Sequence, residues 1–120
     1  MIESINSIHP GDGTRELNWS RACKAIPSLL AQGAVDLSSH GIKISQGALG
    51  LVAVDGNHRL ARVLQLVGPS LSVAFHLDEE NEEIADTLIS EMNKNDVTDF
   101  HKFLQMCEKR QFIRPHNETL

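Results

Sequence analysis

The sequence predicts a small single-domain α+β fold, with a short sheet packed against helices. Three observations predict it. The chain has 120 residues, a length that one hydrophobic core serves. Apolar runs of strand length alternate with segments of helical periodicity. One of those runs, Leu49–Val54 (LGLVAV), has no polar face, which marks a strand covered on both sides.

Taken in order, Ile2–Ile8 (IESINSI) alternates apolar and polar residues and predicts an edge strand. His9–Gly13 (HPGDG) is a turn by composition. From Leu17 to Leu30, residues Trp19, Ala22, Cys23, Ile26, Leu29 and Leu30 share one helical face. Pro27 kinks this helix or begins a second one, and Gly33 is a natural stop. Gly41–Ser45 predicts a short strand, Gln46-Gly47 a turn, and Leu49–Val54 the buried strand. Leu60, Val63, Leu64 and Val67 then recur at helical spacing until Gly68-Pro69 ends the helix.

Leu71–Leu77 (LSVAFHL) predicts another strand. The acidic run Asp78–Glu83 (DEENEE) opens a helix with core face Ile84, Ala85, Leu88, Ile89 and Met92. Acidic residues in a first turn face the positive end of the helix dipole. That ordinary explanation outweighs a metal site. Asp96 is the expected N-cap of a last helix, with Asp99 at its third position. Phe100, Phe103, Leu104 and Cys107 form its apolar stripe. The domain is expected over residues 1–113, with a flexible polar tail over 114–120.

Composition narrows the function. The net charge of −5 argues against duplex DNA binding by this chain alone, since phosphate-gripping domains are usually basic. Aromatic residues make up 4% and tyrosine is absent, so base-stacking platforms are scarce. Cys23 and Cys107 form no C-x-x-C pair, which argues against structural zinc, and both are expected as buried thiols. No secretory h-region and no membrane-length apolar run occurs, so the expected setting is cytoplasmic.

The chemistry concentrates at Asp55–Arg59 (DGNHR), between the buried strand and the helix. A helix N-terminus offers backbone N–H groups and partial positive charge, and Gly56 lets a ligand approach that backbone. Arg59 supplies a planar donor fork for phosphate. His58 can donate to phosphate or move a proton, and Asn57 can cap the helix or orient a ligand. Asp55 stands where a magnesium ligand or general base is often found. An ordinary turn with a capped, solvated first helical turn explains the same five residues, and both readings stay open on composition alone.

The segment VDGNHRLARVLQLVG resembles the phosphate-binding box of the ParB/sulfiredoxin superfamily. In ParB proteins the box reads G-E-R-R-x-R-A, in sulfiredoxin G-C-H-R, and in ParB-like free serine kinases it is of the D-G-x-H-R type. Downstream, Pro69–Met106 is similar to the ParB succession of strand, acidic linker, helix, E-N-x-x-R box and further helix. Upstream, SIHPGDGTREL and the Leu17–Gly33 helix stand where the family has I-x-P-x-x-x-R and its following helix. The departures are specific. Asn57 and His58 replace the box's glutamate and first arginine, and Ala61 replaces the later arginine, with Arg62 beside it. Ser90, Glu91 and Lys94 replace the E-N-x-x-R residues. Asn57 also stands in place of the sulfiredoxin cysteine, which argues against sulfinic-acid repair. No ParB-type helix-turn-helix follows.

The resemblance implies a nucleotide-binding domain for CTP, ATP or ADP, with magnesium accompanying the nucleotide. Gly56, Asn57, His58, Arg59, Asn93, Lys94 and Arg15 would bind the nucleotide or its phosphates. Asp55, His58 and Glu91 would carry any hydrolysis or phosphoryl transfer, with Asp55 also serving magnesium. Glu16 or Glu3 could stand in for the kinases' N-terminal-region base, though a solvated helical turn explains Glu16 as well. Two alternatives stay open: a catalytically degenerate module that binds a protein partner, and a ParB-like nuclease or DNA-associated protein. The reading is compatible with a homodimer.

Overall fold

The computed structural model describes residues 1–11, 35–37 and 41–109. Expectations placed on 12–34, 38–40 and 110–120 lie outside the described residues. They comprise the Leu17–Leu30 helix, Arg15, Glu16, Cys23 and the tail.

The described residues form an α+β arrangement of short strands in two sheets with three helices. The first sheet holds β1 (Ile2–Ser4), β6 (Ser72–Ala74) and β3 (Val35–Asp36), with β6 central. β1 runs antiparallel to β6 and β3 runs parallel to it. The second sheet holds β2 (Ile8–Pro10), β5 (Gly50–Asp55) and β4 (Lys43–Gly47), with β5 central. β2 runs parallel to β5, with Pro10 opposite Ala53, and β4 pairs antiparallel as a hairpin.

The expected strand over Ile2–Ile8 is therefore two strands, one in each sheet. A single 3-10 turn, Ile5–Ser7, separates them. Ile5 is buried in the core and its N–H donates to the Leu71 carbonyl at 3.0 Å. Burying Ile5 between the sheets is worth more than continuing an exposed alternation. The hairpin turn falls at Ala48-Leu49, two residues beyond the expected Gln46-Gly47.

Strand β5 is covered on both faces, as its unbroken apolar run requires. Leu51 and Ala53 join the main core with Ile8 and Leu60. Val52, on the other face, packs with Ala85 and Ile89 of helix α2 (Glu82–Lys94). Helix α1 (Asn57–Val67) follows β5 and ends at Gly68, whose N–H donates to the Leu64 carbonyl at 2.8 Å. It packs against α3 (Phe100–Lys109).

Three local expectations need correction. The acidic run does not enter α2 directly. It first makes a 3-10 turn, Glu79–Asn81, capped by the Asp78 carboxylate. Ile84 is 46% exposed, since Ala85, Ile89 and Met92 set the phase of the buried face. The last helix is capped by Asp99, whose Oδ1 accepts from the Lys102 N–H at 2.9 Å. Asp96 instead sits in the left-handed region at φ 61°. Val97 between them is buried, and its N–H bonds the Met92 carbonyl at 2.9 Å, which delays the helix start. Among the described residues, no helix is long and apolar enough to cross a membrane.

Candidate functional site

The DGNHR joint lies at the carboxyl end of β5, beside the carboxyl end of the parallel strand β2. Ligands of α/β sheets bind in crevices outside such strand ends. Gly56 is the N-cap of α1, with φ 80° and ψ 23°. The left-handed backbone strains any residue with a Cβ. A Cβ here would also lie 2.8 Å from Ile42 Cγ1 and 3.1 Å from Ile42 Cα. Two independent constraints thus require glycine. As the cap, it contributes no side-chain oxygen to the first-turn amides, and no side-chain cap bond is made there.

Asp55 closes β5, half-buried, and its Oδ1 accepts the Gly56 N–H at 2.8 Å. Arg59 is also half-buried. Its guanidinium reaches toward the Gly41 turn, where a Cβ on Gly41 would lie 3.4 Å from Nη1. Lys43 on β4 stands opposite Asp55 and is exposed. Asp55, Gly56 and Arg59 are thus partly exposed at one joint, lined by Gly41, Ile42 and Lys43.

Asn57 and His58 turn inward. Asn57 is only 4% exposed. Its Oδ1 accepts the Gly11 N–H at 2.9 Å, and its Nδ2 donates to the Ala53 carbonyl at 2.9 Å. The amide is therefore committed to backbone on two strands. His58 is 7% exposed and its ring packs against Phe103 of α3, with centroids 5.4 Å apart. Arg62, one turn further, is also buried, and its Nη1 donates to Gln65 Oε1. A polar row in sequence is thus split by the helix between the interior and the joint.

The expected second wall lies elsewhere. Glu91, Asn93 and Lys94 are exposed at the end of α2. The chain leaving α2 brings the Thr98 carbonyl to His9 Nδ1 at 3.1 Å. His9 pairs with Val52 and its ring faces Gly50, at the far end of β5 from Asp55. Among the described residues, no hydrogen bond or ion pair joins Glu91, Asn93 or Lys94 to the joint.

Magnesium in phosphate-transferring sites takes one or two carboxylates, water and substrate phosphates. Asp55, a partly exposed carboxylate beside a glycine-capped helix start, fits that donor chemistry. Among the described residues, no group of three or more His, Cys, Asp or Glu could hold a metal ion. A cation at Asp55 would thus depend on the phosphates of its ligand.

Sequence reasoning missed Gly11, Ile42, Lys43 and Phe103 as parts of this joint. Gly11 had a signal, as a glycine in the HPGDG stretch, although His9 and Pro10 of that expected turn belong to strand β2. The other three come close only through tertiary packing.

Comparison with family models, with curated proteins and with solved structures finds no match for this chain.

Proposed function

We propose that the β5–α1 joint binds the phosphates of a nucleotide, with Gly56 and the first-turn amides of α1 as the cradle. The observation that carries this reading is Gly56 itself. Its backbone conformation and its contact with Ile42 both exclude a side chain, at the head of a helix without a side-chain cap. A helix start whose cap residue supplies no side-chain oxygen, together with the helix dipole, favours an anion. Arg59 adds a charge-assisted donor pair at the same joint. Lys43, opposite Asp55, adds a second cation within reach of the same ligand.

In this reading Asp55 holds magnesium that arrives with the nucleotide. Such an ion would supply charge neutralisation at the phosphates. Asn57 and His58 are assigned away from direct contact, Asn57 by its two backbone bonds and His58 by its packing on Phe103. Binding is therefore proposed ahead of turnover, because the general acid–base candidates are Asp55 and the buried His58.

Titration calorimetry with MgCTP, MgATP, MgADP and inorganic tripolyphosphate tests the reading. Saturable binding of at least one is expected, weakened tenfold or more by Arg59→Ala. That factor is about 1.4 kcal/mol, within the range of one charge-assisted hydrogen bond. If all four fail to bind the wild type, the reading is wrong.

A further inference from the structure

We infer that Asn57 is a positioning residue, a buried amide that fixes the proposed phosphate cradle to the segment leaving β2. The inference rests on the functional reading above and deepens it. It assigns control of the cradle's geometry to a side chain that touches no ligand.

The geometry is a closed node of three groups. Asn57 Nδ2 donates to the Ala53 carbonyl at 2.9 Å, and Asn57 Oδ1 accepts the Gly11 N–H at 2.9 Å. Gly11 and Ala53 themselves touch, since a Cβ on Gly11 would lie 2.3 Å from the Ala53 oxygen. The Asn57 amide thus fills a gap between the ends of two parallel strands, using one donor and one acceptor at once. Asn57 is also the first residue of α1, immediately after Gly56. Any shift of the Gly11 backbone is therefore transmitted to the helix start through one rigid planar group. A ligand that orders the α1 amides must, by the same link, order Gly11.

Among side chains of this length, only a neutral amide or a neutral carboxylic acid offers a donor and an acceptor on two separate terminal atoms, as these two bonds use. A carboxylate accepts only, and would face the Ala53 carbonyl with a lone pair. This supplies a test that simple loss of packing would not pass. Asn57→Asp should bind tripolyphosphate at least tenfold more weakly than wild type at pH 8, and melt lower. Asn57→Ala, which loses both bonds, should be weakened as well.

A second measurement does not depend on the variants folding. Hydrogen exchange at the Gly11 amide of the wild type should slow at least threefold when tripolyphosphate is bound. Equal affinity of Asn57→Asp and wild type at pH 8 would overturn the inference. So would Gly11 exchange indifferent to bound ligand. A wild type that binds no probe overturns the functional reading and this inference with it. That result is distinct from a wild type that binds while Asn57→Asp matches it.

Discussion

At the scale of the residue, the joint separates two kinds of side chain by direction. Arg59 and Asp55 are half-buried at the opening, whereas Asn57 and His58 are buried behind it. Substitutions should divide the same way. Arg59→Ala should leave the melting temperature within a few degrees of wild type while weakening nucleotide binding. Asn57→Ala should destabilise the fold by about 1–3 kcal/mol for each backbone group left unsatisfied, read by urea unfolding. Gly56→Ala should cost at least about 1 kcal/mol from the left-handed backbone alone. The clash with Ile42 adds to that, and the same unfolding measurement reads it. The five residues DGNHR were legible in sequence as a polar joint, but the direction of each was not. A helix turns successive side chains by about 100°. Which of them faces the core depends on what covers α1, and that is set by tertiary packing. His58 illustrates it, because its partner Phe103 lies 45 residues away in sequence.

At the scale of the element, two latches hold the layers that present the joint. Asp86 of α2 accepts the Ala48 and Leu49 N–H groups at 3.2 and 2.9 Å, tying the helix to the β4–β5 hairpin. Asp86→Ala should cost about 1 kcal/mol, since the exposed amides regain water while the charge-assisted bonds are lost. Asp99 caps α3, and Asp99→Ala should cost a similar amount, about 1 kcal/mol, while Asp96→Ala should cost less. The exposed Asp96–Lys102 pair at 3.3 Å adds little. Denaturant titration of the three variants checks that ranking. The choice between Asp96 and Asp99 was not legible, because both are good caps three residues apart. Burial of Val97 decided it. The central strand β5, by contrast, was legible, since an apolar run without a polar face has few other destinations. The break at Ile5 was hidden because the alternation in IESINSI runs through it unchanged.

At the scale of the whole molecule, β5 lies between α2 on one face and the main core on the other, and α1 springs from its end into that core. This arrangement gives the joint a rigid base, as preorganised binding requires. Phe103 belongs to that base. Phe103→Ala should lower stability by about 3–5 kcal/mol and weaken nucleotide binding as well, because the contact with His58 is lost. The α+β class was legible from length, periodicity and the buried strand. The two-sheet division was not, since parallel pairing of β2 with β5 is a non-local event that no local pattern encodes. The central claim is that phosphate sits at the head of α1. Amide chemical shifts of the full chain, followed during titration with MgATP, MgCTP and tripolyphosphate, test it most directly. The account predicts saturable shifts that are largest at Gly56–Arg59 and extend to Gly11 and Gly41. No shifts with any probe, or shifts centred away from the β5–α1 joint, would contradict it.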